Sequence, residues 1–296
     1  MVKRIVGFLL ALFPSICLAA EPISVVTTTS DLAAITKAVG GERVKVESIA
    51  KGFQDPHYVE AKPSYMRLVN RARLLLSVGL QLEIGWLSLL VQGARNPSLV
   101  QVDLSEGISV LERPTGPLSR AQGDIHPEGN PHYWLDPRNG ILMARRIARE
   151  LKAVSPGESA YFDHNLKQFE TELSARRQKW EERMTAVRGR ELVAYHKNYE
   201  YLARWLGLPI IGYVEDKPGI PPSPQHVAEI IRTMQQRKIK ALLVANFTNP
   251  SIPLSVAEKG GAKMVLLPAS VGGEKGIESY GDLFEVIIGK LADALK

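Results

Sequence analysis

Ile23-Ser24-Val25-Val26-Thr27-Thr28-Thr29-Ser30-Asp31 is the stretch that decides the fold class. Its first seven residues are rich in β-branched side chains, which suit a pleated, buried strand. Thr29-Ser30-Asp31 then offers side-chain oxygens for the free N–H groups of a helix N-terminus, and the helix is predicted to run to Gly40-Gly41. A strand feeding directly into a helix is the opening of a parallel βαβ unit.

The same style continues outward. Residues 43–49 alternate, Val44, Val46 and Ser48 against Lys45, Glu47 and Ile49, as a second strand. A loop follows over 51–60, and Pro63-Ser64 starts another helix. Leu74-Leu75-Leu76-Ser77-Val78 is a third strand ended by Gly79, and Asn96-Pro97-Ser98 turns the chain into a fourth at 99–102. Residues 103–130 lose this periodicity and read as a long surface loop carrying Asp124, His126 and Glu128. Asp136-Pro137 caps a helix whose periodicity runs over 141–151. Ser155-Pro156-Gly157 then breaks the chain before a polar helix predicted over 158–188, about 45 Å long at ~1.5 Å per residue. The second half repeats the pattern, with strands at 191–195, 209–213, 241–244 and 263–267 and helices at 198–206, 224–238 and 280–296. Two architecturally similar halves flank one long helix. Ligands of open parallel sheets bind beyond the carboxyl ends of the strands, so two such lobes offer a cleft between them.

Hydrophobic residues make up 45% and charged residues 23%, a balance that excludes a disordered or fibrous chain. Lys3 and Arg4 precede an apolar run over 5–12, and Ser15-Ile16-Cys17-Leu18-Ala19-Ala20 follows. This is the form of a secretory leader, cleaved near Ala19 or Ala20. The run is too short to span about 30 Å of hydrocarbon. Pro14-Ser15-Ile16 lacks the small residue that lipidation expects beside Cys17. The expected organisation is a leader over 1–20, an α/β lobe over 21–155, a linking helix over 156–189 and a second α/β lobe over 190–296. Cleavage removes Lys3, Arg4 and Cys17, lowering the formal charge from +6 to +4 and leaving no cysteine. Disulfides and thiolate metal sites are thereby excluded. With no basic stripe interleaved with aromatics, nucleic acid is not an expected partner.

The six histidines remain as candidate metal ligands. His57 follows Asp55-Pro56, His132 follows Asn130-Pro131, and His196 ends a predicted strand. Three imidazoles plus one oxygen form a recognised tetrahedral zinc set. Separations of 75 and 64 residues mean that any shared site is assembled by tertiary structure. Taken singly, each histidine is weak evidence, since a lone histidine is more often an ordinary surface or core residue. His126, in the loop, reads as solvated with a transient ligand as the alternative, His164 as solvated, and His226 as structural.

Several motifs occur in one order: Val25-Val26-Thr27-Thr28-Thr29, Gly40-Gly41, Asp55-Pro56-His57 with Glu60, Pro63-Ser64, Gly79 with Glu83 and Trp86, Asn130-Pro131-His132 with Asp136-Pro137, His196 after a strand, and Pro222-Ser223-Pro224. Over essentially the whole chain after the leader, this set resembles the cluster of ABC-transporter solute-binding proteins for zinc and manganese. The resemblance implies two α/β parallel-sheet lobes joined by one long rigid helix, with the metal in the inter-lobe cleft. It implies a monomeric periplasmic receptor, not an enzyme, that hands its metal to a membrane permease. His57, His132 and His196 match the family's first three ligand positions. A carboxylate just before the last helix would be the fourth, Glu278, with Asp282 as competitor. Three histidines and a carboxylate suit Zn²⁺ as the transported ligand better than Mn²⁺. Two departures stand out: the 103–130 loop has no His-rich tract, and Asn246 stands where many relatives have Glu. The alternatives are a manganese or iron receptor of the same family, an exported zinc hydrolase using Glu278 as a base, and a surface adhesin on the same fold.

Overall fold

The computed structural model describes residues 21–116, 126–217 and 219–296. The predicted leader, with Cys17, and Asp124 of the long loop lie outside the described residues. Two four-stranded sheets form, each entirely parallel. The first contains β1 (Ile23–Thr27), β2 (Val44–Ser48), β3 (Leu74–Ser77) and β4 (Val100–Asp103) in the order β2-β1-β3-β4. The second contains β5 (Leu192–Ala194), β6 (Ile210–Tyr213), β7 (Ala241–Ala245) and β8 (Lys263–Leu267) in the order β6-β5-β7-β8. The two orders are the same topology used twice.

The opening stretch forms the predicted strand and helix: Val25 and Val26 are buried, and α1 (Ser30–Gly40) begins directly after Thr29. The expected side-chain cap does not form, because Ser30 and Asp31 turn to the Val271 backbone in the other lobe and the Thr29 hydroxyl meets no helix N–H. β4 starts one residue later than predicted because the Leu99 N–H closes the turn on the Asn96 carbonyl. Two short crossover helices, α3 (Leu87–Ala94) and α8 (Ser251–Gly260), join α2 (Pro63–Arg71), α6 (Glu200–Leu206) and α7 (Pro224–Arg237) in covering the sheets. After β3 the chain turns through Gly79 at φ 79°, where a Cβ would lie 2.1 Å from the Asp103 carboxylate. Buried Glu83 secures this turn by accepting from the Thr28 hydroxyl at 2.6 Å and the Val78 N–H at 2.8 Å. Burial pushes the Glu83 carboxyl up to about 7 despite those donors.

Two long helices follow the large loop: α4 (Pro137–Val154) and α5 (Ser159–Met184), with a final helix α9 (Tyr280–Leu295) closing the chain. The 26 residues of α5 span about 39 Å, and a 3₁₀ turn at Thr185–Val187 ends it short of residue 188. Its buried side chains are few: Phe162, Leu173, Trp180 and Met184. Asn165 in its first half donates to the Val39 carbonyl at the end of α1. In its second half Trp180 donates to Glu285 on α9, and Glu181 accepts from Trp205 on α6. The helix therefore straps one lobe to the other. Among the described residues, no helix is long and apolar enough to cross a membrane.

One continuous apolar core runs through both lobes, from Val25 and Leu74 through Trp134, Phe162 and Tyr280 to Leu295. Buried hydrogen bonds cross between the lobes as well. Trp134 donates to the Ala269 carbonyl at 2.9 Å, and Asp31 accepts from the Val271 N–H at 2.9 Å.

Asp31 is fully buried, which lifts its carboxyl from 3.8 to about 7 against the opposing bonds from Val271 and Ser270. Between those values the folded chain holds a proton that the unfolded chain has lost, so this group's contribution to stability falls as pH rises. Asp31→Asn removes that term. Urea unfolding at pH 5 and pH 8 is expected to show a smaller loss of stability in the variant than in the wild type. An equal or larger loss would contradict the assignment.

Candidate metal centre

Parallel pairing puts the carboxyl ends of each sheet along one edge, and loops at those edges of the two sheets meet in one cleft. Three loops there carry histidines. His57 lies in the loop after β2, His132 just before α4, and His196 two residues past β5.

Asp55-Pro56-His57 and Asn130-Pro131-His132 are built alike. Asp55 Oδ1 accepts the His57 backbone N–H at 3.0 Å and its ring Nδ1 at 2.6 Å. Asn130 Oδ1 accepts the His132 N–H at 2.9 Å and its Nδ1 at 3.0 Å. In each case proline removes a competing donor and restricts the residue before it, so one oxygen faces both groups two residues on. The first loop is further held by the indole of buried Trp86, which donates to the Pro56 carbonyl at 3.0 Å. His196 obtains the same orientation from outside its own loop: its Nδ1 stands 2.7 Å from Glu215 Oε2, beyond β6. A proton on each Nδ1 leaves each Nε2 with a lone pair for a cation.

The rings converge. Their centroids are 5.2 Å apart for His57 and His132, and 6.3 Å from each of these to His196. His126 joins them, contrary to its reading as solvated. Its Nε2 stands 3.2 Å from His57 Nε2, close to the ~3.3 Å edge of a tetrahedron with Zn–N bonds of about 2.05 Å. A turn brings it there: Gly129, at φ 106°, donates to the His126 carbonyl, and Asn130 donates to the Leu111 carbonyl. The four rings converge without their ligating atoms meeting at one point, for no group of three or more His, Cys, Asp or Glu among the described residues is yet arranged to hold an ion.

Electrostatics favours a neutral ring at His132. Burial, followed by the charges of His57, His196 and His126, holds His132 well below the ordinary histidine value. Burial alone would raise Asp55, but the hydrogen bond and charge of His57 hold it below the usual carboxylate range. A cavity of about 650 Å³ opens beside the rings, lined by Asp55, His57, Tyr195, His196, Glu215 and Phe247.

The carboxylates expected as fourth ligands are not brought here. Glu278 is exposed and lines a separate cavity of about 340 Å³ with Ser30, Lys37 and Lys51. Its neighbour Ile277 is buried, and the Ile277 carbonyl accepts from Gly272, which turns the next side chain outward. Asp282 is committed to the capping box of α9 and to Arg176. Asn246 ties β7 to the following loop through the Gly273 carbonyl and the Ala269 N–H. Asp136 caps α4, as its place before Pro137 predicts, and pairs with Arg138 rather than with a histidine ring. His164 is exposed on α5, and His226 Nε2 bonds the Tyr213 carbonyl. Glu215 and Asn198, which touch the rings, carried no sequence signal beyond lying near strand ends.

Residues 25–294 match the family model described as "ZnuA: Zinc-uptake complex component A periplasmic". The chain belongs to this family. Membership in the ZnuA family makes it the substrate-binding protein of a metal ABC transporter, a receptor rather than an enzyme. It is 28% identical over 287 residues to the metal ABC transporter substrate-binding lipoprotein FimA of Streptococcus parasanguinis, covering 94% of this chain and 90% of that protein. It is 26% identical over 286 residues to the manganese ABC transporter substrate-binding lipoprotein PsaA of Streptococcus pneumoniae, covering 93% of this chain and 89% of that one. A crystal structure of ZnuA superposes with a TM-score of 0.80 at 23% identity, over 93% of this chain and all of the other, which shows the shared fold.

The orienting carboxylate of His196 is separable from the ring itself. Glu215→Ala is expected to weaken metal binding by about 10- to 100-fold while thermal unfolding stays near wild type. Calorimetric affinity equal to wild type would show that Glu215 does not hold the ring for the metal.

Proposed function

We propose that this chain is an exported receptor for Zn²⁺, held by His57, His132 and His196 and passed to a membrane permease. The observation that carries the reading is the shared orientation of the three rings. Each gives Nδ1 to an oxygen, at 2.6 Å, 3.0 Å and 2.7 Å, which frees Nε2 for a cation. Small ring rotations draw those nitrogens onto one ion, and His126 is the nearest fourth nitrogen. A nitrogen-rich set of this kind favours Zn²⁺ over Mn²⁺, which prefers oxygen donors. The description of the matching family, a periplasmic zinc-uptake component, supports the same metal and compartment.

A manganese receptor is the second reading, and the name of the S. pneumoniae relative favours it. The donor set argues against it, because Glu278 and Asp282 both stand away from the rings.

Calorimetric titration with Zn²⁺ and with Mn²⁺ tests the proposal, together with elemental analysis of protein purified without added metal. Zinc is expected to co-purify and to bind more tightly. His57→Ala and His132→Ala are each expected to lower zinc affinity by orders of magnitude without lowering the unfolding temperature by more than a few degrees. Unchanged zinc affinity in both variants would eliminate the site.

A further inference from the structure

Asn198 lies two residues beyond His196, in the loop between β5 and α6, and is only 2% exposed. Its side-chain amide reaches across the cleft to His132. Asn198 Nδ2 stands 3.2 Å from His132 Nε2, the nitrogen left free once Nδ1 is bonded to Asn130. The lone pair of a proposed metal ligand is thus covered by an amide N–H.

That contact and a bound cation are mutually exclusive. Nε2 has one in-plane lone pair, and a metal that takes it removes the acceptor. If the amide kept its orientation, a buried N–H dipole would lose its partner and point its positive end at a divalent cation. Both effects are unfavourable for a pair as buried as Asn198 and His132. Rotation about the last side-chain torsion exchanges Nδ2 and Oδ1 without moving the backbone. The carbonyl oxygen then faces the ion from a position about one coordination edge from His132 Nε2. Amide oxygen is a hard, neutral donor, of the type that Mn²⁺ gains from more than Zn²⁺ does.

We propose that Asn198 is a specificity-determining residue: its amide caps His132 in the metal-free chain and turns over to offer its oxygen to the bound cation, narrowing the preference for Zn²⁺ over Mn²⁺. The proposal rests on the metal centre described above. It gives the nitrogen-rich site one oxygen donor that neither Glu278 nor Asp282 supplies.

The test is calorimetric titration of the metal-free protein with Zn²⁺ alone and Mn²⁺ alone, in wild type, Asn198→Ala, Asn198→Asp and His132→Ala. Asn198→Ala is expected to weaken Mn²⁺ binding by about tenfold or more, with a smaller change for Zn²⁺. Asn198→Asp, of nearly the same size, is expected to restore Mn²⁺ binding to the wild-type level or above. A zinc-to-manganese affinity ratio unchanged in Asn198→Ala overturns the proposal, and so does an equal rise for both metals, the behaviour of a cap alone. Wild-type protein gives a check that requires no folded variant. The Asn198 side-chain NH₂ resonances in ¹⁵N-labelled protein are expected to shift on adding one equivalent of Zn²⁺, and resonances that stay in place overturn it. Wild-type affinity for both metals in His132→Ala overturns the metal centre itself, and with it this role. Lost binding in His132→Ala beside an unchanged ratio in Asn198→Ala overturns the role of Asn198 alone.

Discussion

A single side-chain oxygen that binds both the backbone and the ring of a histidine two residues later is the interaction on which this protein's chemistry depends. Proline in the middle makes it possible. It supplies no N–H to compete, and it restricts the residue before it. The result at His57 and His132 is an imidazole with its proton placed and its plane held before any cation arrives. Such preorganisation lowers the cost of ordering ligands at the moment of binding. His196 lacks the motif, and Glu215 from the neighbouring strand end supplies the missing oxygen. Parallel β5 and β6 make this a short reach, since their carboxyl ends lie side by side.

The same loops are built into the joint between the lobes. Directly after His132, the Tyr133 hydroxyl donates to the Val78 carbonyl of the first lobe, and the Trp134 indole donates to the Ala269 carbonyl of the second. Both rings belong to the continuous core, with α5 strapped across it. A wide opening of the lobes would expose this apolar surface and break buried hydrogen bonds at once. For the proposed metal site, the cavity beside His57 and His196, walled by loops and the start of α8, would be the way in that leaves this joint intact.

Much of this was legible because it is periodic. The β-branched runs and the long polar stretch predicted over 158–188 announce strands and helices locally, although the α-helix stops at Met184 and no side chain of 29–31 caps α1. The short helix α3 is eight mostly apolar residues, a run whose period cannot be told from a strand's, and α8 is implied only by the need to cross between parallel strands. The motif histidines were visible because proline marks them. His126 was not, since its approach depends on a turn at Gly129 and a bond to Leu111 that no spacing encodes. Glu278 shows the converse failure. Its position before the last helix was correctly located, but the burial of Ile277 decides which way the chain faces there. Asn198 and Glu215 acquire meaning only from neighbours in space.

Asn130 shows why the metal centre and the lobe contact cannot be treated separately. Its oxygen orients His132, while its NH₂ group donates to Glu112 at 3.0 Å and to Glu200 on α6 at 2.9 Å. Lys197, adjacent to His196, closes the loop by pairing with Glu112 at 2.8 Å. Burial, and then the charge of Glu112, push the Glu200 carboxyl up to about 7. An amide held from both sides cannot rotate without leaving a buried group unpaired, so the plane of the His132 ring is set from the second lobe as well as from its own loop. The orientation of His132 thus depends on both lobes. If His132 holds the metal as proposed, loosening the lobes would also loosen the grip on it, which is the coupling a receptor needs if contact at its surface is to release a tightly held ion.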